Sequence, residues 1–379
     1  MMTRFLKAAL MSILLFVGPP APAGAPKAWG YIGWWLPQSW RSMPLGQLDR
    51  LLFFELKVAP NGAISERHGW PEEWTDLQLA VQQTNTPLDL TLTLFEEATF
   101  NTLFSSNEAT QRLLVEALSL ADQTGVAGLQ LDFEIYTLAQ PKAIERYREF
   151  VRDLSARLRQ QVPPRGLSVF LPIGGMSPLY DAVTLAQVDH VVLQAYDAHW
   201  LDSKTAGPIA PLTGSEAVTW EKAYAIGISL GVPKERLLLS FPLYGYEWQV
   251  NAPKLRGDTV GKGRITSFAP IPLNSPPDVP FNVQDRVRQY GASHDPVSGS
   301  SYYQFIGNEG QFVEGWFEDW WSLGRKIDFL IDRQVGGIAF FLMGYDDNQL
   351  VDYFLRRRGG RSLQDLIDRL SENGISESR

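Results

Sequence analysis

Two carboxylates one residue apart, Asp132 and Glu134, close the segment Gly128-Leu129-Gln130-Leu131-Asp132-Phe133-Glu134. Successive side chains of an extended strand alternate sides, so Gln130, Asp132 and Glu134 share one face and Leu129, Leu131 and Phe133 the other. A polar face on an otherwise apolar strand is costly unless its groups have partners or a task. Acids this close raise each other's proton affinity, which suits a carboxyl that must hold a proton near neutrality. A glycosidic oxygen leaves poorly until protonated. One such carboxyl can supply that proton while the other answers the positive charge growing at the sugar carbon. Glu134 is the candidate acid and Asp132 its helper; the bland alternative is that the pair caps a strand end or holds a lysine.

Other side chains fit around this pair. Tyr196 and Asp197 follow another apolar run, and a phenol there can donate to a substrate oxygen. With 12 Trp and 13 Tyr the chain has many flat, amphipathic side chains, useful for core packing and for stacking on sugars alike. Gln130 and Asp197 are candidate substrate-binding residues, Tyr31, Trp35, Trp200, Tyr244, Trp248 and Phe341 the candidate substrate-facing aromatics, and Trp34, Trp320 and Trp321 secondary ones. Strand alternation lets only one of Trp34 and Trp35 line a site. His199 reads equally well as a structural histidine. The four His form no close pair and Cys is absent, so no metal site, thiol chemistry, disulfide or cofactor is expected.

The elements that must position these residues form a series. Short apolar, β-branched or aromatic runs occur at Trp29–Trp35, Leu51–Leu56, Leu88–Phe95, Val126–Glu134, Leu167–Ile173, His190–Tyr196, Leu237–Tyr244 and Gly337–Met343. Helical sequence lies between them. The spacing predicts a helix over Asn107–Gln123, started at Ser105-Ser106 and stopped before Gly125. It predicts another from Pro141, with Ile144, Tyr147, Val151, Leu154 and Leu158 on one stripe. Eight strands alternating with helices make an α/β fold, a (β/α)8 TIM barrel over residues 28–355, whose strand ends build the active site. The rhythm breaks between the seventh and eighth strands. There Gly, Pro, Ser and aromatics over Gly257–Gly315 predict a small α+β insertion spanning residues 245–317. A helix from about Glu318 to Asp332 returns the chain to the last strand. Residues 356–379 are a tail with one short helix at Leu363–Leu370, and Arg356-Arg357-Arg358 reads as the solvated end of the last helix.

The first 23 residues read as a signal peptide: Arg4 and Lys7, the apolar run Ala8–Val17, then Ala21-Pro22-Ala23. Export to the periplasm or medium is expected, with no stable membrane insertion after cleavage. The net charge of −8 opposes binding to a phosphate backbone, so no nucleic-acid partner is expected. No assembly motif is evident, and a monomer is the default.

Together these segments resemble glycoside hydrolase family 18, the chitinase-like family that also contains peptidoglycan-acting and spore-germination enzymes. The family's Asp-x-x-Asp-x-Asp-x-Glu stands here as Ala127 through Glu134, keeping Asp132 and Glu134 but placing Ala127 and Gln130 at the first two acidic positions. Gln194-Ala195-Tyr196-Asp197 is similar to its Met-x-Tyr-Asp, Pro242-Leu243-Tyr244-Gly245 to its seventh-strand end, and Gly336 through Asp347 to its final strand. The resemblance implies a retaining hydrolase of a β-1,4-linked N-acetylglucosamine polymer, working by substrate-assisted catalysis. In that scheme Glu134 protonates the leaving oxygen and later activates water. Asp132 orients the substrate's acetamido group, Tyr196 donates to it, and Asp197 holds the pocket. Two departures carry consequences. Gln130 cannot share a proton with Asp132, so Asp132 is expected to stay ionised, and the usual tryptophan floor is replaced by Phe341. The alternatives are a catalytically inactive chitinase-like glycan-binding protein and a hydrolase of a non-acetylated polysaccharide.

Overall fold

The computed structural model describes residues 24–136, 139–174, 177–271, 276 and 279–358. The segment read as a signal peptide and the predicted Leu363–Leu370 helix lie outside the described residues.

Eight parallel strands close on themselves. They are β1 (Lys27–Gly33), β2 (Arg50–Val58), β4 (Leu88–Leu94), β5 (Val126–Phe133), β6 (Gly166–Leu171), β7 (His190–Leu193), β8 (Leu237–Pro242) and β15 (Gly337–Phe341), with the short β3 (Ile64–Glu66) folded back on β2. Hydrogen bonding runs around the ring in chain order, and β1 pairs with both β2 and β15, so the barrel has no open edge. The helices cover the outside: α1 (Thr75–Thr84), α2 (Glu97–Ser105), α3 (Asn107–Ala121), α4 (Pro141–Gln160), α5 (Ala182–Leu185), α6 (Trp220–Ser229), α8 (Trp320–Arg333) and α9 (Gln349–Arg357). This is the (β/α)8 TIM barrel expected from the alternating pattern.

Local chemistry explains the boundaries. The Ser106 hydroxyl accepts from the Ala109 N–H and caps α3, and Pro141 occupies the first turn of α4, where no N–H is needed. In α8 the Asp319 and Ser322 side chains cap each other's backbone N–H, a reciprocal box. The apolar face of β5 turns outward, with the Phe133 ring 5.5 Å from Tyr147 of α4 and 6.3 Å from Phe104 of α2. Burying one such ring contributes about 2–3 kcal/mol. Its polar face turns into the barrel. Gln130 is fully buried there between the Thr91 and Ser168 hydroxyls.

Between β8 and β15 stands a second, six-stranded sheet. It comprises β9 (Tyr244–Val250), β10 (Arg264–Ser267), β11 (Phe281–Asn282), β12 (Ser293–Asp295), β13 (Ser300–Ile306) and β14 (Phe312–Phe317), with α7 (Val283–Tyr290) beside it. Strand β9 follows β8 after Leu243 alone, which carries its first residues straight from the barrel rim into the insertion.

The basic run at the end of α9 is not all solvated. Arg356 is exposed, but Arg358 is buried, pairing with Asp49 and donating to the Gln47 carbonyl at 2.8 Å. It ties the last helix to the first barrel loop.

Candidate active site

At the C-terminal mouth of the barrel lies a cavity of about 650 Å³. Its walls include Asp132 and Glu134 from the end of β5, Tyr31 from β1, Phe54 from β2, Tyr196 and Asp197 beyond β7, and Phe341 from β15. Tyr244, Tyr246 and Ile265 of the second sheet add a further wall. The insertion therefore deepens the mouth of the barrel.

The two carboxyls differ in their surroundings. Glu134 lies at the rim, where its backbone N–H still donates to the Leu94 carbonyl and Tyr136 donates to its Oε2 at 2.9 Å. Burial lifts its carboxyl above the usual range; the Tyr136 hydroxyl offsets part of this, and the nearby Asp197 charge adds to it. Asp132 sits deeper, and its Oδ1 has no hydrogen-bond partner among the described residues. Burial first, then the charges of Glu134 and Glu55, hold its carboxyl well above the ordinary value. Desolvation and two other carboxylates thus act on Asp132 against the ionisation expected from the replacement of an acid by Gln130. The Tyr31 hydroxyl is likewise buried without a partner.

Asp197 has left-handed backbone geometry (φ 59°), a conformation that aspartate tolerates better than most residues. The Tyr244 and Tyr246 hydroxyls donate to its Oδ1 at 2.7 and 3.0 Å. Burial pushes its carboxyl up to about 6 despite these two donors.

Phe341 is the centre of an aromatic box. It stacks on Tyr196 at 5.9 Å and meets Tyr31, Phe54 and Tyr244 edge-on. Of the aromatics singled out from sequence, Tyr31, Trp35, Tyr196, Tyr244 and Phe341 line the cavity. Trp34 and Trp35 both do so, because β1 ends at Gly33 and strand alternation no longer governs the turn that carries them. Trp34 also stacks on His68 at 4.0 Å.

Three expected site residues stand elsewhere. Gln130 lies within the barrel rather than on the cavity wall. Trp248 is 1% exposed, its indole N–H donating to the Trp200 carbonyl, so it packs the second sheet. Trp200 is 50% exposed and does not line the cavity. His199 is structural, its Nδ1 2.9 Å from the Thr205 carbonyl oxygen. Trp320 and Trp321 lie at the start of α8, off the cavity wall, against Phe268 and His294 respectively. Sequence reasoning missed Glu55, Phe54 and Tyr246; Tyr246 could have been found as the residue two beyond Tyr244 on the same strand face.

The pattern of Glycosyl hydrolases family 18 matches residues 29–346. The chain belongs to this family. Among its relatives, the cortical fragment-lytic enzyme of Bacillus anthracis is 24% identical over 314 residues. That match covers 78% of this chain but only 65% of the relative, so the chain spans about two thirds of that longer protein. Nod factor hydrolase protein 1 of Medicago truncatula is also 24% identical, with 80% and 83% of the two chains covered. The family 18 fold recurs in solved structures. The Cycas revoluta GH18 chitinase in complex with (GlcNAc)3 superimposes with a TM-score of 0.74 at 19% identity, over 88% of this chain and all of that one. The Bacillus cereus spore cortex-lytic enzyme SleL gives 0.68 at 19% identity, over 87% and 74%.

Proposed function

We propose that the protein is a retaining glycoside hydrolase that cleaves a β-1,4-linked, N-acetylglucosamine-containing polysaccharide by substrate-assisted catalysis. The observation that carries this reading is the buried, unpartnered Asp132 Oδ1 directly behind Glu134 in an aromatic cavity. An acetamido N–H is a donor of the kind that oxygen lacks. With the acetamido group so held, its carbonyl oxygen attacks the sugar carbon as Glu134 gives its proton to the leaving oxygen. Glu134 then takes a proton from water, whose oxygen opens the cyclic intermediate and restores the original configuration. A carboxyl raised by burial suits a group that must be acid first and base second. Tyr196 is the donor to the acetamido oxygen, Asp197 holds the tyrosine wall in place, and Phe341 with Trp35 supplies the apolar surface for the ring. Relatives named as chitinase, cortical fragment-lytic enzyme and Nod factor hydrolase support the substrate class. Export through the leading 23 residues makes a cell-wall glycan the first such polymer the enzyme meets. Among the described residues no helix is long and apolar enough to cross a membrane.

The test is product analysis by mass spectrometry with reducing-end labelling, after incubating wild type and Glu134→Gln with chitohexaose and with peptidoglycan. Shorter products are expected from wild type, with the rate in Glu134→Gln lower by about 10²–10⁴. Equal rates would remove Glu134 from its role. Saturable binding without products would favour the glycan-binding alternative.

A further inference from the structure

Gln130 leaves Asp132 without an acid two residues back on its own strand, yet a carboxylate reaches Asp132 from another direction. The side chain of Glu55, on β2, is buried inside the barrel. Thr93 of β4 stands between them: it is the register partner of Asp132 on β5, and its hydroxyl donates to Glu55 Oε2 at 2.6 Å. Three neighbouring strands thus bring Glu55, Thr93 and Asp132 into one row. Strict alternation would have put Glu55 on the side of Phe53, whose ring packs outward on Trp70 and Trp74. The β2–β4 pairing slips between Phe53 and Leu56, and the acid faces inward.

We propose that Glu55 is the positioning carboxylate of this active site, the charge that keeps the Asp132–Glu134 pair holding a shared proton in place of the acid absent at Gln130. Glu55 does not line the cavity and reaches the substrate only through Asp132. Its like charge opposes ionisation of Asp132 in the same sense as that of Glu134. The other titratable groups facing Asp132 are tyrosines: Tyr31 from β1, Tyr136 beyond β5, Tyr147 from α4, Tyr180 beyond β6 and Tyr196 beyond β7. All of these are held above the ordinary phenol range and stay neutral over the working pH. Lys57 and His68 also respond to the charge of Glu55. Among these groups Glu55 and Glu134 are therefore the two whose charge sets how tightly Asp132 holds its proton.

The role of the pair in hydrolysis rests on the function proposed above, but the titration of Asp132 does not. The experiment is a ¹³C NMR titration of aspartate-labelled protein, with the Asp132 carboxyl assigned by its loss in Asp132→Asn. It is run on wild type, Glu55→Gln and Glu55→Asp. Removing the charge is expected to lower the Asp132 midpoint by about half a unit to one unit, and Glu55→Asp to keep it near the wild-type value. On chitohexaose, both limbs of the pH profile of kcat are expected to move to lower pH in Glu55→Gln, because the limbs belong to the pair. Should Glu55→Gln not fold, Glu55→Met removes the same charge at similar volume and is read the same way. An unmoved Asp132 midpoint in a folded charge-removed variant would overturn the proposal, as would a fall in kcat with both limbs in place. A moved midpoint in a protein that cleaves neither chitohexaose nor peptidoglycan would uphold Glu55 and reject the proposed function.

Discussion

At the scale of single residues, the site is built by withholding water from carboxyls and then returning a chosen number of hydrogen bonds. Asp197 receives two phenolic donors and Glu134 one, while Asp132 Oδ1 receives none among the described residues. A donor that stabilises the ionised form lowers the proton affinity, so removing it must raise the titration point. Tyr244→Phe is therefore expected to lift the Asp197 carboxyl further above its value of about 6, as followed by ¹³C NMR. A midpoint unchanged or lowered in the variant would contradict the account of that carboxyl. Asp132, Glu134, Tyr196 and Asp197 were legible in the sequence because they end apolar strand segments. Glu55 was not, because its inward direction depends on a slip in strand pairing that no local pattern encodes.

At the scale of elements, the turn from the last barrel strand into the last helix buries a carboxyl of its own. Asp346, after β15, is fully buried and accepts from the backbone N–H groups of Asn348, Leu350 and Val351 as α9 begins. Burial outweighs these donors and pushes its carboxyl up to about 6. That folded value lies above the ordinary aspartate value, so the folded protein holds this proton more tightly than the unfolded chain. The resulting stabilisation is complete below about pH 4 and is lost as pH rises through about 6. Asp346→Asn cannot titrate. Wild type is expected to lose about 2 kcal/mol relative to this variant between pH 4 and pH 7, measured by urea unfolding at both. A difference independent of pH would contradict the assignment. The Ser106 cap and the Pro141 start were readable from residue type alone, since both satisfy or avoid orphan N–H groups locally. Trp34 and Trp35 were misjudged because the end of β1 at Gly33 is a tertiary event.

At the scale of the whole molecule, the barrel places the chemistry and the second sheet shapes access to it. Tyr244 and Tyr246 show the division, rising from the first strand of the insertion to hold Asp197 at the barrel mouth. Alternating strand and helix signals made the barrel legible. The six-stranded order of the insertion was not, because its pairings join segments distant in sequence, such as β9 with β14. A further distant contact ties the last helix to the first barrel loop. Arg358 reaches from the end of α9 to Asp49 and the Gln47 carbonyl, while Asp49 also accepts from the Ala28 N–H at 2.8 Å. Arg358→Ala leaves these acceptors short of a buried donor and is expected to cost about 1–3 kcal/mol in urea unfolding. A variant as stable as wild type would show the tie to be incidental.

Retaining, substrate-assisted cleavage by Glu134 and Asp132 is read most directly in the anomeric form of the first product. Chitohexaose is mixed with wild type and followed by ¹H NMR before the sugar anomers equilibrate. Wild type is expected to release the β-anomer, with formation slowed by about 10²–10⁴ in Glu134→Gln. An initial α-anomer would contradict it by requiring direct attack of water on the sugar carbon.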